Sequence, residues 1–135
     1  MIIHSHIVKI FYKDVDKMGI VYYSRYFEYF EESRTELLNN IGLKYSAVEK
    51  KGITLPVIDA YAKYLKNCTF EDEIIIESVV EKIPKSRLKI LYNIKRKKDR
   101  VLIVQGYTTH AFLNAFGKPI RPPKFFIDKV KTYFK

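Results

Sequence analysis

The chain opens on a period of two. Between His4 and Lys13, the residues His4, His6, Val8 and Ile10 fall on one face and Ser5, Ile7, Lys9 and Phe11 on the other, which predicts a strand. The stretch Asp14-Val-Asp-Lys-Met-Gly19 breaks it, and Gly19 supplies backbone angles that other residues resist. The period then changes. Tyr23, Tyr26, Phe27, Phe30, Leu37, Leu38 and Ile41 recur at steps of three and four, with Glu28, Glu31, Glu32, Thr35 and Glu36 on the other side. That is an amphipathic helix with one apolar stripe turned to a core, with Ser24 as a cap near its start and Gly42 marking its end. Tyr45 to Lys51 predicts a short helical turn.

After Gly52 the pattern is strand-like almost to residue 116, with Pro56 near the first strand's beginning. Ile74, Ile76, Ser78 and Val80 alternate with Ile75, Glu77, Val79 and Glu81. Beyond a turn at Pro84-Lys85 the alternation resumes with Leu88, Ile90, Tyr92 and Ile94. Lys98-Asp99 predicts the next hairpin turn, and a last long strand runs from Val101 to Phe116. Past Pro122-Pro123, Phe126, Val130 and Tyr133 or Phe134 predict a short C-terminal helix. The order of a strand, a long helix and about four strands in a row predicts an α+β fold with a mainly antiparallel sheet packed on one helix. Several strands are apolar on both faces while a helix covers only one, so an oligomer is expected.

Composition narrows the function. At 135 residues the chain is expected to form one domain spanning 1–135, and 47% hydrophobic with 30% charged residues is a folding balance. Cys68 is the single cysteine, which excludes an internal disulfide and suits a reducing cytoplasm. The start lacks a basic segment followed by a long apolar one, so no secretory signal is expected. The least polar stretch, Val101 to Gly117, is broken by Gln105, Thr108, Thr109, His110 and Asn114, whereas a bilayer span needs about 20 mostly apolar residues. The formal charge is +10, and most of the excess lies between Lys82 and Arg100, where nine basic residues face Asp99 alone. Glu71 to Glu81 holds five acids and no base, so the surface is patchy. A nucleic acid, a membrane surface or an anionic small ligand all fit such a charge.

Nucleophile motifs are missing: there is no Gly-x-Ser-x-Gly elbow, Cys68 falls mid-strand with no placed histidine, and the five glycines form no phosphate-cradling loop. His4 and His6 share a strand face, but at about 3.3 Å per residue His6 lies about 26 Å along the chain from Asp14, so no metal site is expected. The strongest local feature is the run from Asp14 through Asp16 and Gly19 to Tyr23 and Tyr26, a carboxylate in a tight turn just before an aromatic-rich helix. A helix start offers unpaired N–H groups that can hold an oxyanion, and a nearby carboxylate can act as base or nucleophile. Equally, Asp14 or Asp16 can do no more than cap the turn and the helix.

The run from Phe11 to Arg34, FYKDVDKMGIVYYSRYFEYFEESR, resembles the signature of the 4-hydroxybenzoyl-CoA thioesterase family of hotdog-fold acyl-CoA thioesterases, including its YbgC-like branch. Gly106-Tyr-Thr-Thr-His-Ala-Phe112 and then Gly117-Lys-Pro-Ile-Arg121-Pro-Pro resemble that family's last strand and its exit. The resemblance implies a long helix wrapped by an antiparallel sheet, two chains pairing into a continuous sheet, and dimers pairing into a homotetramer. It implies hydrolysis of an acyl-CoA thioester without a cofactor.

By the same resemblance the catalytic carboxylate falls on Asp16, as nucleophile or as base for a water, and Asp14 is structural. The oxyanion donor falls on the backbone N–H of Tyr23, with Gly19 shaping the loop. Many YbgC-like members carry histidine where this chain has Tyr23, and hydroxybenzoyl-type members carry an aromatic residue there, as here. The acyl pocket falls on Ser46, Leu55, Pro56 and Val57, and the nucleotide phosphates of CoA on the turn Lys85-Ser86-Arg87. Ile83 and Pro84 stand where hydroxybenzoyl-type members are more basic, which leaves Arg121 or Lys124 to supply further contacts. Ordinary strand packing at the pocket positions and a solvated hairpin tip at Lys95 to Arg100 are the plainer readings of those residues. Two alternatives stay open: an acyl carrier protein in place of CoA, docked by the basic patch, and a non-catalytic basic module binding single-stranded nucleic acid through a lysine- and tyrosine-rich strand face. The second lacks an RNP-like aromatic motif, so no nucleic acid is expected.

Overall fold

The alternation in the two central strands builds the inner face of a sheet. The computed structural model describes residues 1–134. Its strands are β1 (Ile2–Lys9), β2 (Val57–Tyr64), β3 (Glu73–Val80), β4 (Leu88–Arg96) and β5 (Leu102–His110), in the spatial order β1-β3-β4-β5-β2 with every neighbouring pair antiparallel. The register sets Ile76 opposite Ile94, Tyr92 opposite Gly106 and Thr108 opposite Ala60. Onto this face α1 (Arg25–Asn40) lays the buried stripe of Tyr26, Tyr29, Phe30, Leu37 and Leu38. Phe30 stacks on Tyr92 with ring centroids 4.2 Å apart and planes 6° from parallel. Each such fully buried side chain contributes roughly 1.5–3 kcal/mol. Gly106 permits the approach, since a Cβ there would come within 2.9 Å of the Phe30 ring and strike the Tyr61 carbonyl. Two further helices, α2 (Tyr45–Lys50) and α3 (Lys124–Lys131), cover one end, with Phe126 of α3 packed edge-on against Phe112.

Several element ends differ from the sequence expectation, each for a local reason. The first strand stops at Lys9, not Lys13, because Ile10 turns fully inward and the Asp14 carboxylate accepts the Phe11 N–H at 2.9 Å, winding Tyr12–Asp14 into a 3-10 turn. Tyr23 precedes α1 and is exposed, and Ser24 stands at the cap position without a side-chain capping bond. The last strand ends at His110 because the Asn114 carboxamide oxygen accepts the N–H groups of Phe116 and Lys118, closing a loop instead. Cys68 lies in the loop between β2 and β3, buried, and not within a strand. The expected hairpin tip is present: Arg96 holds it by reaching Asp99, Asp72 and the Asn67 carbonyl.

The outer sheet face mixes lysines with apolar groups, Lys89 lying 4.4 Å over the Tyr107 ring. Apolar exposure concentrates at the sheet's two edges, on Ile3 and Ile7 of β1 and on Val57, Ile58, Tyr61 and Tyr64 of β2. Strand β2 pairs with β5 on one side and leaves its other backbone edge open. No helix among the described residues is long and apolar enough to cross a membrane.

Candidate active site

The acidic loop is tied down before it reaches the helix. Asp14 is 5% exposed; beyond its bond to Phe11, its backbone carbonyl accepts the Tyr22 N–H at 3.0 Å and Arg25 Nε stands 3.8 Å from its carboxylate. Between those anchors the chain folds into a miniature hairpin. Val15 pairs with Val21, the Asp16 N–H reaches the Ile20 carbonyl at 2.9 Å, and Gly19 takes φ +80° at the turn. One carboxylate oxygen of Asp16, Oδ1, accepts the N–H groups of Met18 at 2.8 Å and Ile20 at 3.4 Å. Among the described residues Oδ2 receives no donor, so it is the oxygen open to solvent chemistry.

At the start of α1 the backbone donors can be followed one by one. The Val21 N–H goes to Cys68, the Tyr22 N–H to Asp14 and the Arg25 N–H to Tyr22, while those of Tyr23 and Ser24 reach no partner among the described residues. Two free donors at the positive end of a 16-residue helix form a ready anion-holding point beside the loop. Tyrosines surround it. The Tyr22 and Tyr23 hydroxyls lie 3.4 Å apart, and the Tyr64 hydroxyl donates to the Tyr23 carbonyl at 3.3 Å, tying the end of β2 to the helix start. The Tyr22 hydroxyl is held above its ordinary range by its bond to Tyr23 first, with the Asp16 charge adding to the effect. Burial pushes the Cys68 thiol up to about 11, so it is no thiolate nucleophile at neutral pH.

The remaining expected site residues fall elsewhere. Leu55, Pro56 and Val57 line a cavity of about 230 Å³ together with Arg34, Tyr45 and His110. Ser46 is exposed on α2 and outside that lining, which its neighbour Tyr45 enters instead. Lys85, Ser86 and Arg87 line a separate groove with Lys82 and Lys89 on the outer side of β4, and Ser86 and Arg87 share another with Arg121 and with Pro56 of the cavity. Lys124 is engaged with Asp128 one turn along α3. The cavity sits at the Val57 end of β2 and the Asp16 loop at the Tyr64 end, roughly 23 Å apart at about 3.3 Å per strand residue.

Arg34, Tyr45 and His110 join the cavity beyond the residues expected from the sequence. A signal for two of them was present. Arg34 is four residues from both Phe30 and Leu38, hence on the buried stripe, and His110 follows Val104, Gly106 and Thr108 at period two on the inner face of β5. The buried polar chain they join is continuous: the Tyr92 hydroxyl meets Thr108 Oγ1 at 2.7 Å, Thr108 meets His110 Nε2 at 2.9 Å, and His110 Nδ1 meets the Leu55 carbonyl at 3.0 Å. A carbonyl only accepts, so Nδ1 carries the proton and Nε2 takes the Thr108 hydroxyl proton. Burial keeps the imidazole below its ordinary pKa, with Arg34 adding and the Leu55 carbonyl opposing.

A sheet curled on one long helix, with an acidic loop at that helix's start, defines a class. The pattern of the thioesterase-like superfamily matches residues 12–130, and the chain belongs to that family. It has the hotdog fold and is a thioester hydrolase. Among solved structures, the DHNA-CoA thioesterase of Staphylococcus aureus superposes with a TM-score of 0.89 at 30% identity, over 98% of this chain and 89% of that one. YneP of Bacillus subtilis, provisionally named an acyl-CoA thioesterase, is 29% identical over 129 residues, 95% of this chain and 93% of that protein. The acyl-CoA thioesterase YbgC of Haemophilus influenzae is 27% identical over 77 residues, 56% of this chain and 57% of that protein.

Proposed function

We propose that this protein hydrolyses an acyl-CoA thioester, with Asp16 as general base or nucleophile and the Tyr23 N–H as oxyanion donor. The observation that carries the reading is the pairing of a carboxylate anchored through Oδ1 with an unpartnered N–H at the start of α1. As base, Asp16 takes a proton from water, the water oxygen adds to the thioester carbon, and the carbonyl oxygen becomes an anion facing the Tyr23 N–H. Collapse expels the CoA sulfur, which takes up a proton. As nucleophile, Asp16 Oδ2 adds directly, sulfur leaves, and water then cleaves the mixed anhydride.

The separation of loop and cavity along β2 favours a homodimer as the working unit. Antiparallel pairing of two β2 edges about a two-fold axis would lay the Val57 end of one chain beside the Tyr64 end of its partner. The acyl cavity of one protomer would then face the Asp16 loop of the other, and the open edge of β2 supports this arrangement. Lys85, Ser86 and Arg87, with Arg121, are the basic groups suited to the nucleotide phosphates.

The test is a hydrolysis screen over short, medium, long-chain and aromatic acyl-CoAs with wild type and Asp16→Asn, free thiol being followed and corrected for Cys68. We expect turnover on some member of the screen, falling at least a hundredfold in the variant with fold and oligomer intact. Wild-type turnover in a folded Asp16→Asn protein would overturn the mechanism. Matched CoA and acyl-carrier-protein thioesters distinguish the two carriers.

A further inference from the structure

The cavity at the Val57 end of β2 has an asymmetric inventory of hydrogen-bonding groups. Its walls are aliphatic, including Leu55, Val57 and Leu88, and its polar members are Arg34, Tyr45 and His110 with Glu31 and Thr35. The acceptors of the inner polar members are spent internally. The Tyr45 hydroxyl oxygen accepts the Leu55 N–H at 3.3 Å, the Leu55 carbonyl accepts from His110 Nδ1, and His110 Nε2 accepts from Thr108. Donors remain. The Tyr45 proton has no acceptor among the described residues, and no carboxylate there lies within 4 Å of the Arg34 guanidinium. Arg34 is half-buried and lines the cavity together with His110. Glu31, one turn earlier on α1, is exposed and screened by solvent.

We infer that this cavity receives an acyl group ending in a carboxylate, held by the Arg34 guanidinium and the Tyr45 hydroxyl, so that short ω-carboxyacyl thioesters are the preferred substrate class. This rests on the thioesterase reading above. A carboxylate only accepts, and so matches the inner part of the lining, where Arg34 and Tyr45 keep donors free and the acceptors are used, while Glu31 and Thr35 stand on its exposed side. An unsubstituted acyl chain of equal length leaves a half-buried guanidinium and a phenol proton unpaired, a mismatch that a polar site penalises far more than an extra methylene. The volume suits a short chain. At about 230 Å³ the cavity falls below the roughly 300–1,000 Å³ of pockets for drug-sized ligands, which suits an acyl group of glutaryl size.

The experiment compares glutaryl-CoA with pentanoyl-CoA, both of five acyl carbons. We expect wild type to favour glutaryl-CoA at least tenfold in kcat/KM, Arg34→Met to reduce that preference at least tenfold, Arg34→Lys to recover part of it, and Tyr45→Phe to reduce it several-fold. Equal or reversed preference in an enzyme that hydrolyses either thioester would overturn the inference and leave the thioesterase reading standing. If neither is hydrolysed, calorimetric binding of both to wild type decides: tighter glutaryl-CoA binding that is lost in Arg34→Met supports the carboxylate site, and equal affinities overturn it. Failure of every thioester in the wider screen would count against the thioesterase reading by itself.

Discussion

Replacing Thr108 by valine keeps the shape of the side chain and removes one hydroxyl from the middle of a buried chain. Tyr92, Thr108 and His110 are all 3% exposed or less, so water cannot replace what is lost. The hydroxyl serves two neighbours, the Tyr92 oxygen at 2.7 Å and His110 Nε2 at 2.9 Å. A buried polar group left unpaired costs about 1–3 kcal/mol. Two groups are stranded, the Tyr92 O–H and the His110 Nε2 acceptor, and the nearby Arg34 guanidinium, which only donates, cannot take up the Tyr92 proton. The expected loss is therefore about 2–6 kcal/mol. With a urea slope of about 2 kcal/mol/M the unfolding midpoint falls by roughly 1–3 M, measured at fixed protein concentration because association would shift it. The double variant Tyr92→Phe/Thr108→Val removes one stranded group along with its partner, so it should lie within about 1 kcal/mol of the single variant. A midpoint shift below about 0.3 M for Thr108→Val, or simple additivity in the double variant, would refute the argument that this chain of hydroxyls is a coupled structural unit.

Gly106→Ala places a methyl against the Phe30 ring and the Tyr61 carbonyl, forcing β2 away from β5; we expect about 1–3 kcal/mol of destabilisation and a weakening of the proposed β2-edge pairing, read by denaturation and light scattering. An unchanged midpoint would show that the sheet yields freely at this position. His110 supplies a pH signature. Its folded pKa lies below the ordinary 6.5, so above pH 6.5 both states are neutral and its environment costs nothing. As pH drops from 6.5 toward the depressed folded value, the unfolded chain binds the proton first and stability falls. Denaturation midpoints from pH 8 to 5 should therefore decline below 6.5 in wild type and decline less in His110→Gln; parallel curves would rule out this histidine as the source.

The periodic patterns determined most of the architecture in advance. Ile74, Ile76, Ser78 and Val80 against Leu88, Ile90, Tyr92 and Ile94 admit one inward face, because a slip of one residue would expose every one of them. The three- and four-residue steps of α1 likewise leave one stripe to bury. The acidic loop was legible too, through Gly19 and the two aspartates, although nothing local separates their roles. Burial does. Asp14 is consumed by Phe11 and Arg25, whereas Asp16 keeps an oxygen free.

The remainder depends on contacts between residues far apart in the chain, which no short window of sequence contains. Tyr64 touches Tyr23 across 41 residues, and His110 touches Leu55 across 55. Arg34 carries a local signal in its spacing from Phe30 and Leu38, yet its partners in the cavity, Tyr45, Leu55 and His110, come from other elements of the chain. Ser46 and Tyr45 are adjacent in the chain, but the 100° step of a helix sends one to solvent and the other into the cavity. Side-chain alternation and helical periodicity are properties of a few neighbouring residues, so sequence determines them. Which donors are left unpaired depends on every partner the folded chain brings near, and that is decided only by the tertiary structure.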